Sequence, residues 1–203
     1  MTEEFVEAIE RAIASLVADF QGQASRFWNE RDMHWYLFHH LKGDPVFLRE
    51  YGTELIRAEF PTRAVYREGK LPSRGHFDLV ILAPASVISP PVSGLPPWAP
   101  WKEYLPLVKV VIATEVKTWV DRAEFREKID WDVEKLTDPR NAVRHSYFLN
   151  FVQLDFSRQL MQDFYQNLRG YLMEKARQWP KLRILCVPHD KGIQPDPRQD
   201  WIR

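Results

Sequence analysis

Two separated apolar segments of the sequence each carry charged side chains that could do chemistry. Asp78 lies near the start of the run 77–82, and Glu115 and Lys117 lie two residues apart at the end of the run 110–117. Side chains alternate between the faces of a β-strand, so Glu115 and Lys117 share one face of an otherwise apolar strand. Because a charged group removed from water needs a partner or a metal, the two carboxylates predict a divalent-metal site.

These residue types suit metal-dependent hydrolysis of a phosphodiester bond. The carboxylates of Asp78 and Glu115 offer the hard oxygen ligands that Mg²⁺ prefers, and Mn²⁺ could substitute for it. The backbone carbonyl of Val116 could add a third protein ligand. The Lys117 ammonium would lie beside the attacking water and the phosphate oxygen, where it could orient the first and neutralise the second.

The elements that must position these residues follow from the periodicity of the chain. The predicted helices are the first 20 or so residues, a segment from Asn29 to Gly43, 122–138 and 160–178. The predicted strands are 54–66, 76–82, 107–119, 146–154 and 182–187. The first two strands are expected to pair as an antiparallel hairpin. This order predicts an α/β fold with a central mixed β-sheet of about five strands flanked by helices.

Composition limits the domain organisation and the partners. With 203 residues, 45% of them hydrophobic, we expect one domain over 1–203, with a proline-rich insertion loop at 84–106 and a loose tail after His189. The 28 Lys and Arg residues balance 28 Asp and Glu residues, so no global positive charge indicates nucleic acid. The single cysteine, Cys186, the acidic first residues and the short apolar runs predict a cytoplasmic protein without a membrane partner.

Asp78 and the motif Glu115-Val116-Lys117, in this order of elements, resemble the PD-(D/E)XK nuclease superfamily, which has the restriction-endonuclease-like fold. In that superfamily a helix precedes an antiparallel hairpin that carries the aspartate. The next strand carries Glu-x-Lys, and a helix and a further strand follow. The segment 132–136, Asp-Val-Glu-Lys-Leu, is similar to a pattern that many members carry on that helix. This chain departs from the superfamily pattern by Phe77 in place of proline and by the long insertion after the hairpin.

The resemblance implies an Mg²⁺-dependent endonuclease that hydrolyses phosphodiester bonds in DNA. RNA is not excluded as a substrate, and a homodimer is left open. The implied catalytic residues are Asp78, Glu115, Lys117 and Glu30, and the implied metal ligands are Asp78, Glu115 and Val116. Superfamily members often carry a glutamate on the first helix that faces the metal, and Glu30 matches that placement. A favourable interaction with the helix dipole accounts for Glu30 equally well.

The same residues are also consistent with two functions that involve no catalysis. The chain could be a nuclease-fold protein without catalytic activity that binds nucleic acid or serves as an assembly module. Alternatively, Asp78, Glu115 and Lys117 could form a partly buried salt bridge at the end of a sheet, in which case their mutation would unfold the protein rather than inactivate it.

Several further polar residues are expected to have structural roles. For Glu59 we prefer a solvent-facing position on an edge strand, although it could point into the site. For Gln153 we prefer a structural hydrogen bond over a position near the substrate. His34, His39 and His40 lack the i, i+4 spacing of a helical zinc pair, so we predict polar or packing roles for them and no zinc site.

Overall fold

We describe the protein from a computed structural model. The structure describes residues 2–68, 71–86, 105–119, 125–153, 158–189 and 201–202. The helices are α1 (Thr2–Gly22), α2 (Glu30–Gly43), α3 (Phe125–Thr137) and α4 (Arg158–Gln178). The strands are β1 (Ile56–Glu68), β2 (Leu71–Leu82), β3 (Val110–Trp119), β4 (His145–Val152), β5 (Leu182–Pro188) and β6 (Trp201–Ile202).

The strands form one mixed sheet in the order β1-β2-β3-β4-β5-β6. Strand β2 runs antiparallel to both of its neighbours, β1 and β3, whereas β3, β4 and β5 run parallel to one another. The α/β class, the mixed sheet and the β1–β2 hairpin are therefore confirmed. The expectation of a loose tail is wrong at its end, because Trp201 and Ile202 pair with β5 as a sixth strand.

Helices cover both faces of the sheet, and the alternation along β3 assigns its residues to them. Ile112 and Val116 pack in one hydrophobic cluster with residues of α1 and α2. Ala113, one residue out of phase, packs in a second cluster with residues of α3 and α4. Period-two alternation explains this division, and it places Glu115 and Lys117 on the face that α3 and α4 cover.

The insertion at 84–106 is described only at its ends. Pro84–Ser86 form a short 3₁₀ turn, and Leu105 and the residues after it form a turn before β3 begins. Strand β3 starts at Val110, three residues later than predicted, because this turn occupies the positions before it. The remainder of the insertion, 87–104, lies outside the described residues, so the proline-rich loop stays a prediction.

The start of α2 positions Glu30 for the site. Asn29 has extended backbone angles, and its side chain accepts a hydrogen bond from the backbone N–H of Asp32. The Asp32 carboxylate accepts in return from the N–H of Asn29, which completes a capping box. The cap sets the first helical residue at Glu30, so the predicted N-cap and the predicted first-turn position of Glu30 are confirmed.

Replacement of Asn29 by alanine should destabilise the protein without changing its fold. Loss of an N-cap side chain costs about 1 kcal/mol, which corresponds to a decrease in Tm of roughly 2–4 °C for a chain of this size. Calorimetric melting of Asn29→Ala measures this decrease. Asn29→Asp retains an N-cap oxygen and serves as the control with the wild-type Tm. Equal Tm values for Asn29→Ala and wild type would show that the cap does not stabilise the helix.

Candidate metal and phosphate site

The antiparallel ladder between β2 and β3 ends where the predicted acidic residues begin. The last described pair on this side is Leu79 with Thr114, so the next positions along the two strands are Asp78 and Glu115. Asp78 Oδ2 lies 2.7 Å from the backbone nitrogen of Val116 and accepts its hydrogen bond. The Asp78 side chain thus accepts a hydrogen bond from β3, which holds it beside the backbone of Val116.

Glu115 is fully buried, and a helix supplies its counter-charge. The Nζ atom of Lys135 on α3 lies 2.9 Å from Glu115 Oε1 and 2.8 Å from Asp132 Oδ1. Lys135 also donates to the carbonyl oxygen of His76 on β2. Among the described residues, Glu115 Oε2 is buried and has no hydrogen-bond partner. A buried carboxylate oxygen in this condition costs free energy, so it is a position where a ligand would be stabilised.

Lys117 connects the strand to helices on both sides. Its Nζ atom lies 3.1 Å from Asp132 Oδ2 on α3 and 3.4 Å from Glu30 Oε2 on α2. The other Glu30 oxygen is 3.4 Å from the backbone nitrogen of Thr118. The Lys117 side chain is 16% exposed, whereas that of Asp132 is 3% exposed. Its ammonium group therefore lies at the boundary between the buried cluster and solvent.

The electrostatic environment shifts the pKa values of the two strand acids, Asp78 and Glu115, in opposite directions. Burial, together with the charges of Asp78 and Asp132, raises the pKa of the Glu115 carboxyl well above its ordinary value of 4.5, and the two lysines offset this only in part. Burial also acts to raise the pKa of Asp78, but the neighbouring His34, Lys117 and the Val116 N–H outweigh it, so the pKa is lowered. Asp78 is thus ionised while Glu115 retains a proton more readily.

The two lysines have raised pKa values. Burial alone would lower the pKa of Lys117, but the surrounding carboxylates, Asp132 and Glu30 first among them, reverse the shift. The same balance raises the pKa of Lys135, with Glu115 as its strongest partner. Both side chains are therefore held as ammonium groups in the cluster.

The charges of this cluster fit a divalent cation. With every group ionised, four carboxylates meet two ammonium groups, an excess of two negative charges. The predicted ligands, the carboxylates of Asp78 and Glu115 and the carbonyl of Val116, are all oxygen donors, and Glu115 Oε2 is a buried oxygen without a partner among the residues described. Hard oxygen donors and an uncompensated negative charge suit Mg²⁺. The residues present therefore fit the metal that the sequence predicts. The cluster consists of Glu30, Asp78, Glu115, Lys117, Asp132 and Lys135.

The structure also brings together residues to which sequence analysis assigned no site role. His34 Nε2 lies 3.0 Å from Asp78 Oδ2, so the prediction of an ordinary polar or packing role missed its contact with the site. The signal was available: Glu30 and His34 are spaced i, i+4, so a helix face that turns Glu30 to the site turns His34 there too. Sequence analysis noted Lys135 only within the helix pattern 132–136; its contact with Glu115 depends on the crossing of α3 over β3, which that pattern does not specify.

Glu59 and Gln153, which were secondary candidates for the site, occupy different places in the fold. Glu59 is mostly exposed, as preferred from the sequence, yet its Oε1 atom lies 4.0 Å from His34 Nδ1. Gln153 follows β4, where its backbone N–H donates to the carbonyl of Trp119. Within the described part of the chain, its side chain makes no hydrogen bond with a residue of the cluster.

Comparison with known proteins returns no relative. No protein-family model, no curated protein and no solved structure matches this chain. Among the described helices, none combines the length and the apolar character that crossing a bilayer would require. The interpretation of the site therefore depends on its own geometry.

Replacement of Glu115 by glutamine should stabilise the metal-free protein at neutral and higher pH. Because burial raises the pKa of Glu115 above 4.5, the unfolded chain releases a proton that the folded chain retains. The contribution of Glu115 to the stability of the wild type therefore falls as pH rises above 4.5 towards the folded-state pKa, and the variant escapes this loss. In EDTA, Glu115→Gln should melt above the wild type at pH 8, with a smaller difference at pH 5.

The exposed Glu127 on α3 supplies the control for this measurement. Glu127→Gln should follow the wild-type melting temperature at both pH values. A lower Tm for Glu115→Gln than for the wild type at pH 8 would contradict the account, because it would mean that the ion pair with Lys135 outweighs burial and repulsion.

Proposed function

We propose that this protein is an Mg²⁺-dependent endonuclease of restriction-endonuclease-like fold that hydrolyses phosphodiester bonds in DNA. The observation that carries the proposal is the buried, unpartnered oxygen of Glu115 beside Asp78, in a cluster of described residues that brings four carboxyl groups together with two ammonium groups. An ion-pair network built only for stability would balance its charges, because each uncompensated buried charge is costly. The strand order and the antiparallel hairpin support the fold assignment.

Asp78, Glu115 and the carbonyl of Val116 are the residues that would hold the ion. Bound Mg²⁺ would lower the pKa of a water molecule and neutralise charge on the phosphate. The Val116 N–H holds Asp78 Oδ2 in place, so one carboxylate is oriented by the backbone of the strand that carries the other. The backbone of β3 thereby orients Asp78, one of the three proposed donors, before any ion binds.

Lys117 has the position of a group that contacts the phosphate. Asp132 and Glu30 hold its ammonium group at the boundary with solvent and keep it protonated. A fixed cation there stabilises the negative charge that develops on the phosphate oxygens and can orient the attacking water. Glu30 acts through Lys117 and is in this respect a positioning residue. Lys135 and Asp132 support the site from the buried side.

The proposal also includes a cellular location, the cytoplasm, and two kinds of partner, a second copy of the chain and a nucleic acid. Cys186 is a buried thiol of β5, which fits a protein of the reducing cytoplasm. The homodimer stays an expectation, and light scattering measures it. DNA is the proposed substrate, and an RNA substrate is one of the outcomes that the assay below distinguishes.

Purified wild-type protein should nick and linearise supercoiled plasmid in the presence of Mg²⁺ or Mn²⁺. Lys117→Ala should lose at least about 100-fold in cleavage rate, since removal of one group that stabilises transition-state charge costs this much. Lys109→Ala is the matched control, because Lys109 is an exposed lysine just before β3 and lies outside the cluster. It should cleave at the wild-type rate.

The outcomes of this assay separate the alternatives. Cleavage of RNA but not DNA would correct the substrate. DNA binding without cleavage under any metal condition would favour the inactive nucleic-acid-binding module. Equal cleavage by the wild type and a folded Lys117→Ala variant would attribute the activity to a contaminant or to other residues.

Mg²⁺ should also raise the Tm of the wild type but not of Asp78→Asn. A ligand that binds only the folded state at 100 times its Kd stabilises by about 2.7 kcal/mol, which corresponds to roughly 5–10 °C here. Thermal melting with EDTA, with Mg²⁺ and with Mn²⁺ measures the shift. An unchanged Tm of the wild type at saturating metal would indicate that the acids stabilise the fold and bind no metal.

A further inference from the structure

One face of α2, outside the cluster, carries aromatic and basic side chains without an acid among them. Successive members of this set are three or four residues apart, so the helix presents them on one side. We call this set the α2 stripe, and it consists of Arg31, Trp35, Phe38, His39 and Lys42.

A groove lies between the α2 stripe and the edge strand β1. It has two adjoining parts, of about 180 Å³ and about 430 Å³, and Phe38 and Ala58 line both of them. The smaller part also contains His34, whose Nε2 atom lies 3.0 Å from Oδ2 of Asp78 in the cluster. The larger part reaches Lys42 in the last turn of α2. The groove therefore runs along α2 from the candidate site to the end of the helix.

Three cations line this groove without an ion pair. Arg31 and Lys42 belong to α2 and Arg57 to β1, and none of them lies within ion-pair distance of a carboxylate in the part of the chain that the structure describes. The acids in the same walls, Glu54 and Glu59, are both exposed. The cations outnumber the acids, so the groove suits a ligand with negative charge.

Aromatic rings lie among these cations. Trp35 is 49% exposed, and its ring stacks on that of His39 and meets that of Phe38 edge-on. The Nζ atom of Lys42 lies 4.5 Å from the centroid of the Phe38 ring. A groove that offers aromatic rings and cations together suits an unpaired nucleic-acid strand, because the bases stack on the rings and the phosphates meet the cations.

The groove suits an unpaired strand better than a duplex or a second copy of the chain. In a duplex the bases stack on one another, so their faces cannot stack on Trp35. In a symmetric dimer formed through the α2 stripe, the same surface of both copies would meet and its cations would repel one another. From Arg31 to Lys42 the helix rises about 16 Å, the length of about five nucleotides in a stacked strand.

We propose that the groove between the α2 stripe and β1 binds an unpaired segment of the DNA substrate next to the cluster. Bases stack on Trp35, and phosphates contact Arg31, Lys42 and Arg57. The inference rests on the proposed function, because it names the form of DNA that the site receives. Binding in the groove needs neither metal nor cleavage, so it is measured in EDTA.

Fluorescence anisotropy of a labelled oligo-dT, titrated with the full-length protein in EDTA, tests the inference. The wild type should bind this strand at least about ten-fold more tightly than a duplex of the same length. Trp35→Ala should weaken binding at least about five-fold, since one base–aromatic stack is worth at least this much. Trp179, 44% exposed beyond α4 and outside the groove, supplies the control, and Trp179→Ala should bind as the wild type does.

The salt dependence of binding provides the second readout. Each phosphate contact to a single strand contributes about 0.7 to the slope of log K against log salt concentration, so Arg31→Ala should lower the slope by about this amount. Lys181→Ala removes an exposed lysine just before β5 and should keep the wild-type slope. Arg31 is exposed, so this variant tests the groove even if Trp35→Ala does not fold.

An abasic oligomer separates stacking from attraction to phosphate alone. It has the same sugar-phosphate backbone as oligo-dT but no bases, so the wild type should bind it at least about five-fold more weakly. Trp35→Ala should bind the abasic oligomer as tightly as the wild type does, because this ligand has no base to stack on the ring.

The results distinguish failure of this inference from failure of the nuclease. Equal affinity of the wild type and Trp35→Ala for oligo-dT, or of the wild type for oligo-dT and the abasic oligomer, would overturn it whether or not DNA is cleaved. Binding of oligo-rU more than ten-fold tighter than oligo-dT would assign the groove to RNA and overturn the DNA assignment. Weakened binding by Trp35→Ala in a protein that cleaves no nucleic acid would keep the groove and remove only the nuclease.

Discussion

The arrangement of this protein depends on the burial of one carboxylate, that of Glu115, in the middle of a sheet. A charge removed from water is tolerated only with close counter-charges. Lys135 on α3 supplies the nearest one at 2.9 Å, so α3 must cross β3 at this level. Lys135 in turn needs Asp132, and Asp132 also contacts Lys117. The helix layer over this face is thus tied to the strand by charge as well as by apolar packing.

The opposite helix layer completes the cluster from its other side. The Asn29 cap starts α2 so that Glu30 reaches Lys117, and His34, one turn later, reaches Asp78. The two strands supply the acids at the level where their ladder ends, beyond Leu79 and Thr114. Polar groups therefore converge from both helix layers at one end of the β2–β3 pair.

Much of this could be predicted because it depends on local sequence. Period-two alternation places Glu115 and Lys117 on one face, and the N-cap at Asn29 places Glu30 in the first turn. Contacts that depend on packing between distant elements could not be predicted, such as Lys135 with Glu115. Strand β6 was missed because two residues are too short to show a period; its pairing depends on β5. The contact of His34 with Asp78 was missed because only a helical zinc pair was considered.

The buried acids of this protein are proposed to hold a divalent ion rather than only an ion-pair network. Anomalous scattering from crystals of the wild-type protein grown with Mn²⁺ tests this most directly. We expect an anomalous peak between the carboxylates of Asp78 and Glu115, which disappears in Glu115→Gln crystals. A wild-type map at saturating Mn²⁺ that shows the two carboxylates well ordered and no peak between them would contradict the proposal.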